Sequence, residues 1–303
     1  MIQFIMRSSD IRRCFSALCL ILVSSGSTAW ATQPPIRVVV SFSILEDIVH
    51  EVGGSDVAVT SLIGRDANEH VFEPSPDQVR LLAQARLLVV NGLGLEGWVT
   101  RLIQSAQYRG PLVVASEGIE PIAATEGSTD PHAWQDPRNG IVYAKNITRA
   151  LAGIDPEHAE AYQQRLRGYE AQFETLDQRV RERLGEIPPE KRRVITTHDA
   201  FAYYGKAYGV AFMAPEGLNT DSEPSAKTIA ELIRQIRRDG IKALFLENIS
   251  DPRLMETIAR ETGATLGPRL YSDALSMPDG PAPTYLRMIE YNTAALREGM
   301  LKN

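Results

Sequence analysis

The chain has 303 residues, 44% of them apolar and 23% charged, enough for two ordinary domains with buried cores, which excludes a disordered chain. Its formal net charge is -6. Removing an N-terminal segment in which Arg7, Arg12 and Arg13 stand against Asp10 leaves about -8, a surface that excludes nucleic acid and anionic lipid as preferred partners.

The first elements in the chain are those of a secretory leader. Arg7, Arg12 and Arg13 form a basic start, Phe15 to Val23 a short apolar run, and Ala29-Trp30-Ala31 a small-residue cleavage site, so residues 1–31 are expected to be removed. The run stops at Ser24-Ser25-Gly26-Ser27, short of the roughly 20 apolar residues that span a bilayer. Cys19 lies inside this run, preceded by Ser16-Ala17-Leu18, which favours a free periplasmic protein over a lipid-anchored one. Cys14 and Cys19 are the only cysteines, so disulfides and thiolate ligands are not expected in the mature chain.

After Pro34-Pro35, the β-branched run Ile36 to Phe42 predicts a strand, and Ile44, Leu45, Ile48, Val49 and Val52 recur at helical spacing behind it. Strands follow near Val57–Ile63, Leu87–Asn91 and Leu112–Ala115, with helices around Pro76–Ala85 and Gly97–Ala106. Such alternation predicts an α/β fold with a parallel sheet covered on both faces. From Asp155-Pro156-Glu157 an apolar stripe runs unbroken through Tyr162, Leu166, Tyr169, Phe173, Leu176, Val180 and Leu184, predicting one long helix that Pro188-Pro189 ends. A second alternating block has strands at Val194–Thr197, Val210–Ala214, Ala243–Glu247 and Thr265–Tyr271, and helices at Ala200–Tyr208, Ser225–Asp239, Pro252–Thr262 and Pro283–Leu301. The expected organisation is a lobe over 32–152, a linking helix over 153–186 and a lobe over 187–303.

Three of the five histidines follow strands: His70 the second, His132 the fourth, His198 the first of the second block. Asp273 follows the last. Ligands of open α/β sheets gather at the carboxyl ends of strands, so each lobe offers two donors to a shared cleft. Three imidazoles and one carboxylate suit a borderline cation such as Zn²⁺. His50 falls off the apolar stripe of its helix and His158 sits in an acidic opening turn; both are expected to face solvent.

The segments around these residues resemble the metal-binding solute receptors of zinc and manganese importers, the cluster A-I or zinc-receptor-like family. Asn68-Glu69-His70-Val71-Phe72-Glu73-Pro74-Ser75-Pro76 is similar to its first ligand loop and Asp130-Pro131-His132-Ala133-Trp134-Gln135-Asp136-Pro137 to its second. Thr196-Thr197-His198-Asp199-Ala200-Phe201 is similar to the third and Tyr271-Ser272-Asp273-Ala274-Leu275 to the fourth. Gly217 to Ser225 and Glu247 resemble further hallmarks. The resemblance covers nearly the whole mature chain. It implies two four-stranded parallel lobes joined by one rigid helix, His70, His132, His198 and Asp273 as metal ligands, and delivery of the metal to the permease of an ABC importer by a monomeric periplasmic protein.

Departures from the family are Gln135, where an apolar residue is usual, and Asn68-Glu69, neither of which is expected to touch a ligand. The histidine-rich loop of many zinc receptors is missing between Glu117 and Asp130, which leaves room for a separate periplasmic metal-delivery protein. Manganese receptors generally carry glutamate where His198 stands, so zinc is expected, with manganese as the alternative. Asp130, Asp136, Asp199 and Glu247 are candidates to orient the imidazoles; Trp134 is read as core. The rival classes are a zinc hydrolase, with Glu73 its nearest base, and an adhesin. The first lacks His-Glu-x-x-His and an open coordination place, and nothing independent supports the second.

Overall fold

The computed structural model describes residues 34–124, 128–220 and 223–303. The leader with its two cysteines, and Asp221 and Ser222 of the Gly217–Ser225 hallmark, lie outside the described residues. The first sheet is built from β1 (Ile36–Val40), β2 (Val57–Ser61), β3 (Leu87–Val90) and β4 (Leu112–Val114), all parallel, in the order β2-β1-β3-β4. Apolar runs occupy the central places, where both faces are covered: β3 is buried throughout, whereas the edge strand β2 buries only Val57 and then alternates between exposed and half-buried positions. Helix α1 (Ser43–Gly53) leaves β1 after Phe42 and buries Ile44, Leu45, Ile48, Val49 and Val52, with His50 outward as expected. Helices α2 (Pro76–Ala83) and α3 (Val99–Ser105) complete the first three crossovers.

The fourth connection contains a helix absent from the sequence reading, α4 (Pro137–Ile154), with Asp136 as N-cap and Pro137 at its first position. It lies along α5 (Ala159–Gly185), 27 residues, whose buried stripe is the one read from the sequence. That helix starts three residues later than expected, because Pro156–His158 first makes a 3-10 turn.

The second sheet, β5 (Arg193–Ile195), β6 (Ala211–Met213), β7 (Ala243–Leu244) and β8 (Thr265–Leu266), is parallel and ordered β6-β5-β7-β8. Its strands are two or three residues long. The chain leaves the ladder early, and the span expected as strand up to Tyr271 retains one further bridge, Glu247 with Leu270. Helices α6 (Ala202–Tyr208), α7 (Ala226–Asp239), α8 (Pro252–Thr262) and α9 (Tyr285–Met300) cover it. The main core runs continuously from β1 and β3 through α1, α4 and α5 to α6 and α9, while Ile195, Leu232, Ile236, Ile241, Leu244, Met255 and Ile258 form a second cluster under α7 and α8. The fold is thus two four-stranded parallel sheets with flanking helices, joined by one long helix. Among the described residues no helix is long and apolar enough to cross a membrane.

Candidate metal site

The carboxyl ends of both sheets converge. His70 follows β2, His132 follows β4, His198 follows β5 and Asp273 follows β8, and one donor atom from each lies within 4.8 Å of every other. His132 Nε2 is 3.4 Å from His70 Nε2 and 3.7 Å from Asp273 Oδ1. Asp273 Oδ2 is 3.6 Å from His70 Nε2 and 3.0 Å from His198 Nε2. His70 alone keeps some side-chain exposure, 5% against none for the other three, so solvent reaches the cluster from its side.

Two of the four nominated carboxylates orient imidazoles. Asp130 accepts from the His132 backbone N–H at 2.9 Å and lies 2.7 Å from its Nδ1, leaving Nε2 directed at the cluster. Glu247 accepts from the backbone N–H groups of Thr197 and His198 at 2.8 and 3.0 Å, and its Oε2 approaches His198 Nδ1 to 2.5 Å as an ion-pair contact. The other two have different roles. Asp136 caps α4 and grips Arg138, because the chain must start a helix there. Asp199 is exposed, its backbone N–H bound to the Gly217 carbonyl. Glu73 is also exposed, on the rim.

Two of the departures from the family, Asn68 and Glu69, do touch a proposed ligand, contrary to expectation. Asn68 Oδ1 accepts from the His70 backbone N–H at 2.9 Å. Glu69 is 2% exposed, has no hydrogen-bond partner on either carboxylate oxygen, and places Oε1 3.9 Å from His70 Nε2. Only the tertiary structure buries this carboxylate, so no pattern in the sequence would have marked it. Gln135 donates from Nε2 to the Ser272 carbonyl at 2.6 Å, beside Trp134 Nε1 at 2.8 Å on the same oxygen. Trp134 is fully buried as expected, and its ring also packs edge-on to His132 at 5.2 Å.

The Ser272 contacts belong to a wider anchorage. Leu275 N–H donates to Ser43 Oγ, Arg65 Nη1 donates to the Ser276 and Pro283 carbonyls, and Tyr285 N–H donates to Asp47. The Asp273 loop, C-terminal in sequence, is therefore fastened mainly to residues of the first lobe. His198, with Glu247 behind it, is the donor built wholly on the second sheet.

The charges are mutually dependent. Burial opposes the charge of His198, but the Glu247 and Asp273 carboxylates outweigh it and hold the imidazole pKa well above its ordinary value. Burial would raise Asp273, yet His198 and His132 hold it well below the usual carboxylate range. Burial lowers His70, and burial with the neighbouring Asp273 pushes Glu69 well up. Such a nest of imidazoles and carboxylates, buried without ordinary partners for Asp273, is a place where a cation replaces protons.

Convergent parallel sheets around three enclosed imidazoles and a carboxylate define a two-lobed binding protein with room at its centre for a single cation. The chain belongs to the ZnuA family, zinc-uptake complex component A periplasmic, which it matches over residues 38–299. It is 30% identical over 297 residues to the manganese ABC transporter substrate-binding lipoprotein PsaA of Streptococcus anginosus, spanning 95% of this chain and 96% of that protein. To the iron ABC transporter substrate-binding lipoprotein MtsA of Streptococcus pyogenes serotype M1 it is 31% identical with the same coverage. The periplasmic zinc binding protein TroA from Treponema pallidum superposes with a TM-score of 0.84 at 27% identity, over 88% of this chain and 99% of that one. The chain is accordingly the metal-binding receptor of an ABC transporter, acting outside the cytoplasm, and not an enzyme.

Proposed function

We propose that the protein captures one divalent transition-metal ion, zinc in preference to manganese, on His70, His132, His198 and Asp273 and presents it to the permease of an ABC importer. In this reading residues 1–31 are a cleaved leader, and a free periplasmic monomer holds the ion between lobes 32–152 and 187–303, with 153–186 linking them. A separate periplasmic carrier would supply the metal that a histidine-rich loop gathers in other receptors.

The observation that carries the reading is the spacing of the donors. Bonds of about 2.0–2.1 Å to Zn²⁺ in a tetrahedron leave donors roughly 3.3 Å apart. The contacts of 3.0, 3.4, 3.6 and 3.7 Å, the two oxygens of Asp273 counted together, lie around that value in a set of donors that all fall within 4.8 Å of one another. Edges of this length also suit other divalent ions, so the donor types decide: three nitrogens and one carboxylate are softer than the oxygen-rich sets that manganese prefers.

One observation favours manganese or iron, the metals in the names of the two streptococcal relatives. Glu69 is a second buried carboxylate without a partner, and its oxygen joining the cluster would harden the site. Metal analysis of protein purified without added metal, followed by competition between Zn²⁺ and Mn²⁺, separates the readings. One zinc per chain, held against excess manganese, is expected. Two tight zinc ions would contradict the single site, and displacement of zinc by equimolar manganese would favour the harder assignment.

A further inference from the structure

The loops that bring His70 and His198 together are joined by one side-chain hydrogen bond beside the cluster. Asn68 uses both ends of its amide. Its Oδ1 accepts from the His70 backbone N–H at 2.9 Å, and its Nδ2 donates to Thr220 Oγ1 at 2.8 Å. Thr220 lies three residues beyond a segment tied back to the neighbours of His198, since Glu216 N–H donates to the Thr197 carbonyl at 3.2 Å and Asp199 N–H to the Gly217 carbonyl at 3.1 Å. Two side-chain hydrogen bonds and the backbone stretch from Thr220 back to Glu216 therefore connect the His70 backbone to either side of His198. It lies where solvent reaches the site. Asn68 and Thr220 line a cavity of about 530 Å³, and His70, Leu218 and Asn219 line another of about 540 Å³ on the far side of the same loops.

We propose that Asn68 and Thr220 form a clasp between the lobes that sets how long the metal stays bound, with Asn68 as a positioning residue for His70. This rests on His70 and His198 both being ligands. An ion held between them leaves when the His70 loop and the His198 loop separate, and that separation breaks the Asn68–Thr220 bond. Breaking it adds to the barrier for release, while capture in the open state is unaffected. The clasp thus acts on the rate of departure more than on the rate of arrival.

The test is dissociation of Zn²⁺ from the full chain into excess chelator, followed in time. Thr220→Val removes the hydroxyl at near-constant shape and leaves the Asn68 contact to His70 in place. It is expected to speed release about two- to tenfold, the range one partly exposed hydrogen bond covers, with the melting temperature of the metal-free protein lowered by no more than a few degrees. Thr220→Ser is expected to restore the slow rate. Asn68→Ala is expected to be at least as fast as Thr220→Val, and the double variant no faster than Asn68→Ala, because both substitutions break one bond. Thr220→Ala serves if the valine variant folds poorly. A wild-type release rate in Thr220→Val, or effects that multiply in the double variant, would overturn the clasp. Zinc retained by His70→Ala would overturn the ligand assignment instead.

Discussion

Glu247 shows how much of a metal site lies outside the donors themselves. One of its oxygens fixes the backbone on which His198 stands and the other faces Nδ1, so the carboxylate determines both the position and the charge of that imidazole. Glu247→Gln keeps the size and one acceptor, and is expected to weaken zinc binding about 10- to 100-fold by calorimetric titration, the usual cost of losing an outer partner. His70→Ala, His132→Ala and His198→Ala remove donors and are expected to lose more, while the outward His50→Ala binds as the parent does. The charge on His198 also has a sign. Because its folded pKa is raised, its protonated form stabilises the metal-free fold below the unfolded value of about 6.5, and that contribution fades as pH rises through the folded value. A metal must displace this proton, so binding is expected to release protons near neutral pH and to weaken steadily as pH falls toward 6. Binding heats that do not vary with the ionisation enthalpy of the buffer would sink this. The four proposed donors were legible because each follows a strand within a recognisable segment. Glu69 was not, since its burial depends on residues distant in sequence.

Helix α4 was missed for a reason visible in its own stripe. Buried Asn146 and Thr148 interrupt the apolar spacing of Tyr143, Ile147 and Leu151, and Asn146 spends its amide on the Ala115 and Glu117 carbonyls. A polar residue with a tertiary partner weakens the periodicity that identifies a helix, although Asp136-Pro137 was a legible start. By contrast, α5 was legible because its stripe is wholly apolar or aromatic. Two glycines test how these helices are used. A Cβ at Gly140 would sit 2.7 Å from ring carbons of both Phe173 and Tyr285, where α4 meets α5 and α9, whereas one at Gly168 would meet nothing within 4 Å. Gly140→Ala is expected to cost about 1–2 kcal/mol, overpacking exceeding the gain in helix propensity, and Gly168→Ala to stabilise by about 0.5–1 kcal/mol. Urea denaturation of metal-free protein measures both, and equal effects would mean that the α4–α5–α9 contact is looser than described.

Across the molecule, a bound ion would draw on both sheets and have no organised site in the unfolded chain, so zinc is expected to act as a ligand of the native state alone. At free metal about 1,000 times the dissociation constant, linkage supplies about 4 kcal/mol, which for a chain of this size raises the melting temperature by on the order of 10 °C. Asp273→Ala is expected to shrink that rise, and calorimetry showing no rise with excess zinc would exclude a site between the sheets. The alternation of strands and helices made this architecture readable from the sequence. The attachment of the Asp273 loop was not, because it depends on Ser43, Asp47 and Arg65 meeting residues more than 200 positions later. Those same distances bear on how the chain comes to be folded. The wall that closes over α1 is made of residues 272–285, so the first lobe remains unfinished until nearly the last of the polypeptide has been delivered. Contacts of such long sequence separation form late and slowly. A fragment ending before Tyr271 is therefore expected to lack a sealed first lobe even though it carries every strand of both sheets, and final compaction is reserved for the completed chain.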